Sequence, residues 1–184
     1  MKNSPRARMT VVLVLGALRA VAQQPPSPPK TAADSINFMW KMMESDFTSL
    51  AEAMPEEKWS FKPTQGAFDN ARTFGEQVKH VACGNEAWAK KLRGEPPPER
   101  CDTGGPNPAR SKTEILAYLH ESFVMMDGEI AKTKLDNLMA PIKGPYAGDN
   151  RLEVLNSALW HISDHYGQLV EYVRMNGIVP PASR

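Results

Sequence analysis

Two histidines spaced four residues apart, His161 and His165 in "WHISDHYGQLVEY" (160–172), are the strongest candidates for chemistry in this sequence. Residues at positions i and i+4 of a helix are neighbours on one face, so two imidazoles there can converge on one metal ion. A third ligand would come from a facing helix. His80, at the margin of the apolar face of another predicted helix, is the candidate. The same spacing also occurs on ordinary helix surfaces, so both interpretations stay open at this point.

The residues around the pair exclude two familiar enzyme types. Ile162 stands where the zinc-protease pattern HExxH requires a catalytic Glu. Ser163 and Asp164 cannot form a catalytic triad with these histidines, because successive helix positions point about 100° apart. We expect both to face solvent, and we expect the fourth histidine, His120, to lie on the surface as well.

Helical periodicity from residue 31 onward predicts the elements that would carry these side chains. A second helix is predicted from about Thr73 to Leu92, and Asn176-Gly177 is a good end for the last one. Without credible strand alternation, the pattern predicts an all-α four-helix bundle. Capping-box patterns mark the starts of the first, third and fourth helices: Thr31 with Asp34, Ser111 with Glu114, and Asn150 with Glu153.

The methionine-rich first and third helices are interpreted as ordinary core packing rather than as a cofactor site. The apolar residues of the first helix are Ile36, Phe38, Met39, Met42, Met43, Phe47 and Leu50.

Composition and charge limit the number of domains and the kinds of partner that we expect. The chain has 184 residues with 22 basic and 21 acidic side chains, which gives a formal net charge of +1. This length suggests one domain, and the near balance of charge gives no electrostatic case for a nucleic-acid partner.

The N-terminus has the layout of a secretory signal peptide, which we assign to residues 1–22. Basic residues come first, a short apolar run follows at 11–18, and the small-x-small triplet Ala20-Val21-Ala22 ends it. The apolar run is far shorter than the roughly 20 residues that span a bilayer, so we expect no stable membrane anchor. Residues 23–30 are a proline-rich leader, and 31–181 are the folded domain. We therefore expect an exported protein, periplasmic or secreted.

Export bears on the two cysteines, Cys83 and Cys101, because an oxidising compartment permits a disulfide. Cys83 falls within the second predicted helix, and Cys101 lies in the loop after it, which is long enough to fold back. A bridge and two unpaired thiols both remain open.

Two segments, "TFGEQVKHVACGNEAW" (73–88) and "WHISDHYGQLVEYVRMNGIVPP" (160–181), resemble the DinB/YfiT-like family of bacterial four-helix metalloproteins. The family pattern has one histidine in the second helix and HxxxH in the last, followed by Gly-Gln, Arg, Gly and prolines. "WSFKPTQGAF" (59–68) resembles the loop before the second helix, whereas the N-terminal segment and the loop 94–110 look like additions. The matching positions are His80, His161, His165, Gly167-Gln168, Arg174, Gly177 and Pro180-Pro181.

The resemblance implies one divalent metal ion, zinc or nickel, held by the neutral imidazoles of His80, His161 and His165. Three protein ligands leave a position open for water or substrate, as in catalytic sites. Each ligand histidine should donate its other N–H to an acceptor. Gln168 and Glu76 are within reach for this role, although Glu76 also fits a solvated helix surface.

The same resemblance implies functions of different classes. We expect a hydrolase in which the metal activates water for attack on a small-molecule substrate that the sequence does not identify. The alternatives are a metal-dependent thiol S-transferase, since the family includes thiol-dependent enzymes, and a non-catalytic metal- or ligand-binding protein of the envelope. Export favours hydrolysis over thiol transfer, because small thiols are scarcer outside the cytoplasm. The lack of an obvious general base favours the binding protein, and a homodimer formed through helix faces stays open.

Overall fold

Four long helices form the protein in a computed structural model that describes residues 30–144 and 148–184. They are α1 (Ala32–Ala53), α2 (Phe74–Arg93), α3 (Lys112–Ile130) and α4 (Arg151–Met175). Short 3-10 turns lie at Glu56–Lys58, Cys101–Thr103 and Pro181–Ser183. Within these ranges the only strand-like feature is an isolated bridge between Pro141 and Asn150, so the predicted all-α class is confirmed.

The predicted signal peptide, and the leader up to residue 29, lie outside the described residues. In the part of the chain that is described, no helix combines the length and the apolar character that a bilayer span requires.

Each of the four helices begins with a capping box, in which two backbone N–H groups are satisfied reciprocally. Three of these boxes were predicted from the sequence, and the fourth, at the start of α2, was missed. There Thr73 Oγ1 accepts the N–H of Glu76 at 3.3 Å, and the Glu76 carboxylate accepts the N–H of Thr73 at 2.7 Å. Such caps contribute about 1 kcal/mol each and fix where α2 begins, six residues before His80.

The helices are not arranged in simple sequential order around the bundle. α1 and α2 each pack against both α3 and α4, which places α1 diagonally across from α2. Contacts along the helices show their directions. Between α2 and α3, Tyr118 donates to Glu86 at 2.7 Å, and Arg93 pairs with Glu129 at 3.6 Å further along both helices. Residue numbers increase in the same direction along both helices at these two contacts, so α2 and α3 are parallel.

α2 and α4 run in opposite directions. The side chain of Gln77 bonds to that of Gln168 at 2.6 Å, whereas Gly84, later in α2, faces His161, earlier in α4. This antiparallel pairing brings the middle of α4 against the first half of α2, where His80 lies.

Parallel neighbours cannot be joined by a tight turn, so the chain must return along the bundle between α2 and α3. α2 is about 30 Å long at 1.5 Å per residue, and residues 94–111 make the return. A disulfide between Cys83 and Cys101, with the Cα atoms 5.3 Å apart, links this crossover to the middle of α2. The loop that looked like an addition is therefore the crossover, and the open question about the cysteines is answered by a bridge.

The core contains fewer methionines than predicted. In α1, Trp40, Met43 and Phe47 are buried, with Trp40 packed edge-on against Phe123 at 5.6 Å between ring centroids. The prediction of core packing was wrong for Met39 and Met42, which are 42% and 43% exposed, and the neighbouring Phe38 is 51% exposed. Positions 40, 43, 47 and 50 form one helical stripe, and Phe38, Met39 and Met42 fall outside it.

Packing beneath the histidines gives a stability prediction. Leu169 is fully buried one turn after His165, whereas Leu135 is 84% exposed in the segment after α3. Leu169→Ala should lower the free energy of unfolding by about 2–5 kcal/mol, because it removes buried methyl groups and leaves a cavity. Leu135→Ala, the same chemical change, should alter it by less than about 0.5 kcal/mol. Urea unfolding measures both, and equal losses would contradict the burial described here.

Candidate metal centre

The three histidines predicted as ligands meet at one point between α2 and α4. His80 Nε2 lies 3.1 Å from His165 Nε2 and 3.2 Å from His161 Nε2. The ring centroids are 4.5–5.1 Å apart, and the donor atoms form a group of the size that can hold a metal ion. The structure therefore brings together residues that are more than 80 positions apart in the sequence.

The spacing of the ring nitrogens fits a tetrahedral ion. Zinc–nitrogen bonds of 2.0–2.1 Å at tetrahedral angles place two nitrogens about 3.3 Å apart. The two measured separations, 3.1 and 3.2 Å, differ from this by only a few tenths of an ångström. Three imidazoles, without thiolate or carboxylate in the group, form a donor set that suits zinc, nickel or copper better than magnesium or calcium.

The proton on His80 is fixed by its environment. Its Nδ1 lies 2.6 Å from the backbone oxygen of Cys101, and a carbonyl oxygen can only accept, so Nδ1 donates. The neutral ring then presents the Nε2 lone pair to the other two histidines. A single lone pair accepts one good hydrogen bond, yet two Nε2 atoms lie within hydrogen-bonding distance of it. A cation satisfies this geometry better than hydrogen bonds among the rings.

His165 is held by two glutamine amides. Nε2 of Gln77 lies 2.6 Å from His165 Nδ1 and also donates to Oε1 of Gln168 at 2.6 Å. The Gln168 Oε1 atom is 3.4 Å from His165 Nδ1. Gln168 in turn donates to Asp164 at 2.8 Å. For His165 Nε2 to bind a metal, Nδ1 must carry the proton and needs an acceptor. The Gln168 oxygen supplies one, and a half-turn of the Gln77 amide would supply another.

The structure thus places Gln168 beside His165, where the sequence predicted it, and adds Gln77. The signal for Gln77 was its position three residues before His80, on the same face of α2. Glu76 is not brought to the cluster. Its carboxylate accepts the N–H of Thr73 in the capping box and the residue is exposed, which agrees with the solvated-surface interpretation.

Ser163, Asp164 and His120 are exposed, as expected from their helix positions.

Room for the His161 ring depends on Gly84. A Cβ atom at Gly84 would lie 2.5 Å from Cε1 and 3.1 Å from Nδ1 of His161, closer than real contacts allow. His161 Nδ1 is also buried without a hydrogen-bond partner among the described residues. An orphaned donor of this kind costs about 1–3 kcal/mol. His161 is therefore the one ring of the three whose outer nitrogen lacks an acceptor among the described residues.

Burial keeps the cluster uncharged. Desolvation, followed by the proximity of His165 and His80, lowers the pKa of His161 to about 3. Desolvation, then His80, lowers the pKa of His165 to about 4, and desolvation also lowers the pKa of His80. The Arg72 guanidinium contributes to all three shifts. At neutral pH the imidazoles are thus in the deprotonated form that metals require.

A cavity of about 320 Å³ opens beside two of the histidines. Its wall is largely apolar and includes one cation, Lys91, which pairs with Asp149 at 2.6 Å and lies 5.5 Å from the centre of the Trp88 ring. The cavity gives a small molecule access to the cluster. The lining residues are His80, Gly84, Ala87, Trp88, Lys91, Pro97, Cys101 and His161.

Comparison with known families assigns the chain to one of them. The family profile of the DinB superfamily matches residues 39–169, a segment that includes α2, α3, most of α1 and α4, and the three histidines. The protein belongs to the DinB superfamily, which confirms the family resemblance of the sequence. A search of curated proteins found no match.

The lowered pKa values predict how the metal-free protein responds to pH. A group whose pKa is lower in the folded state binds protons more tightly when unfolded, so its contribution to stability is present above about pH 6.5 and is lost on acidification. In the presence of a chelator, the free energy of unfolding should fall from pH 6.5 towards pH 4. Each shifted histidine adds a slope of up to about 1.4 kcal/mol per pH unit.

Urea titrations at several pH values measure this slope. His161→Gln should flatten the slope between pH 6.5 and 4, whereas His120→Gln, a change at an exposed ring, should leave it as in wild type. Identical slopes for all three proteins would show that the cluster is not neutralised by burial.

Proposed function

We propose that this protein is an exported DinB-superfamily hydrolase that binds one divalent metal ion through Nε2 of His80, His161 and His165. The observation that carries the proposal is the convergence of three ring nitrogens, with His80 Nε2 at tetrahedral spacing from the other two. When bound, such an ion supplies Lewis acidity, lowering the pKa of a coordinated water and polarising a substrate oxygen. The donor set favours zinc or nickel.

The protein's own residues prepare the site before any ligand arrives. The backbone oxygen of Cys101 sets the tautomer of His80, and the amides of Gln77 and Gln168 orient His165. Gly84 leaves the space that the His161 ring occupies. Burial keeps protons from competing for the nitrogens at neutral pH. Preorganisation of this kind lowers the energy needed to assemble the site on binding.

The cavity indicates the size and character of the substrate. A volume of about 320 Å³ suits a small molecule. Ala87, Trp88 and Pro97 would contact an apolar part of it, while His80 and His161 border the position where a polar group would react. We therefore propose a small substrate with an apolar portion and a hydrolysable polar group.

Two observations support export. The N-terminal sequence has the three-part layout of a signal peptide. The Cys83–Cys101 disulfide is the kind of bond that persists in oxidising compartments. Together they favour a periplasmic or secreted location over the cytoplasm.

A second candidate function is a metal- or ligand-binding protein without catalysis. Among the described residues that line the cavity, none is an Asp or Glu, so no carboxylate is in position to act as a general base or acid. The Asp164 carboxylate near His165 is engaged by Gln168. A hydrolase of this design would depend on the metal alone for proton removal.

Metal analysis of purified protein, combined with activity assays, tests the proposal. Wild type should bind about one equivalent of zinc or nickel, and His161→Ala should lose at least tenfold in affinity because one of three ligands is missing. His120→Ala is the matched control at an exposed histidine and should bind as wild type. A panel of ester, amide and phosphoester substrates should show hydrolysis that chelation abolishes and added metal restores.

The outcomes separate the candidates. Hydrolysis that survives complete removal of metal contradicts the mechanism. Conjugation of a thiol to an electrophile, without hydrolysis, identifies the S-transferase alternative. Metal retained without turnover in either assay supports the binding protein.

Gly84 supplies an independent prediction about the geometry of the site. Gly84→Ala should weaken metal binding by at least tenfold, because the new methyl group displaces the His161 ring. Gly167→Ala is the matched control: Gly167 lies in α4 with no atom within 4 Å of its Cβ position. This change should leave metal affinity unaltered and stabilise the protein by roughly 0.5–1 kcal/mol. Isothermal titration with zinc measures the affinity of both variants. Equal affinities would contradict the inference that Gly84 makes room for the His161 ring.

A further inference from the structure

We propose that the Cys83–Cys101 disulfide is the positioning element for His80, so that the redox state of these cysteines sets the metal affinity of the three-histidine site. The inference rests on the proposed function, in which His80 is a ligand. It concerns two cysteines that are not metal ligands but act through His80.

Cys101 connects the disulfide to His80 through two bonds, one from its sulfur and one from its backbone oxygen. The sulfur of Cys101 is bonded to Cys83, and the backbone oxygen of Cys101 accepts the Nδ1–H of His80 at 2.6 Å. His80 and Cys83 are three residues apart on α2 and therefore share a face. The disulfide consequently places an acceptor on the outer nitrogen of the ligand ring. Breaking the disulfide frees the residue that supplies this acceptor.

The backbone on either side of Cys101 is shaped around the bridge. Arg100, directly before it, has φ of 54°, the one positive φ of a non-glycine residue in the described chain. A side chain makes this conformation unfavourable, and it persists where surrounding contacts enforce it. Gly105, with φ of 72°, passes so close that a Cβ would lie 2.4 Å from Cys83 Sγ. The crossover would lose the contact that enforces its shape if the bridge opened.

Other contacts would keep the crossover nearby. Arg72 Nε donates to the backbone oxygen of Asp102 at 2.7 Å, and Lys79 Nζ donates to that of Ala109 at 2.8 Å. Neither depends on the disulfide. We therefore expect reduction to loosen the Cys101 carbonyl without releasing the whole loop. Loss of a ligand's hydrogen-bond partner typically weakens metal binding 10–100-fold, and this is the expected effect.

The test compares oxidised and reduced wild type. A water-soluble trialkylphosphine gives two electrons to the disulfide, two protons complete the two thiols, and the phosphine leaves as its oxide with oxygen from water. After the phosphine is removed without air, zinc affinity is measured by competition with a chromogenic chelator. The reduced protein should bind zinc 10–100-fold more weakly while its circular dichroism shows that the helices are retained.

The tautomer of His80 gives a second readout, which would not change if the disulfide only stabilised the fold. In metal-free protein, ¹⁵N NMR of the rings should show His80 protonated at Nδ1 when oxidised and a mixture of tautomers when reduced. His120, an exposed ring on α3 outside the cluster, is the internal control. Its ¹⁵N signals should be the same in both states.

The double variant Cys83→Ser/Cys101→Ser is a second route to the open state and should behave like the reduced protein. Met126→Ala, at a fully buried position of α3, controls for general destabilisation: it should lower the melting temperature and keep zinc affinity. Unchanged affinity and unchanged His80 signals in folded, reduced protein overturn the proposal. Loss of all helices on reduction also overturns it, because the bridge would then support the bundle as a whole.

The two proposals fail in different ways. If oxidised wild type binds no metal, the proposed function is wrong. The His80 tautomer comparison in metal-free protein still decides whether the disulfide positions that ring.

Discussion

The structure depends on one constraint: three imidazoles from two antiparallel helices must point their Nε2 atoms at a single position. HxxxH on α4 supplies two rings on one face, and the register of α2 against α4 decides whether the third can reach them. That register is fixed by the capping box that starts α2 and by Gly84, whose missing side chain lets α4 approach. A slip of one residue would turn His80 about 100° away from the pair.

Neutrality of the cluster follows from the same packing. Rings that are mostly withdrawn from water lose the solvation that stabilises the protonated form, and each ring disfavours charge on the next. The hydrogen bond from His80 to Cys101 and the glutamines around His165 then decide which nitrogen carries the remaining proton. Burial alone would leave the tautomers undecided, so the partners of the outer nitrogens prepare His80 and His165 as candidate ligands, whereas Nδ1 of His161 has no partner among the described residues.

Much of this was accessible from the sequence, because helix caps, helical periodicity and i, i+4 spacing are local signals. They predicted four helices, the start of each within a residue or two, and the two histidines of α4 as a pair. His80 was joined to them by family resemblance, since local patterns do not report register. Glu76 and Thr73 form a capping box that was overlooked. The disulfide was left open and Gln77 was not predicted, because both depend on how α3 and α4 lie relative to α2.

The parallel direction of α2 and α3 connects the topology to the chemistry. An antiparallel pair could be joined by a few residues at one end of the bundle, and no chain would then pass His80. A parallel pair requires a crossover that returns along α2, and a disulfide on the face of α2 that carries His80 holds this crossover in place. The carbonyl that orients His80 is thus a consequence of the connection that the helix directions demand. The feature that made the loop look like an insertion, its length, is what allows it to reach the three-histidine cluster.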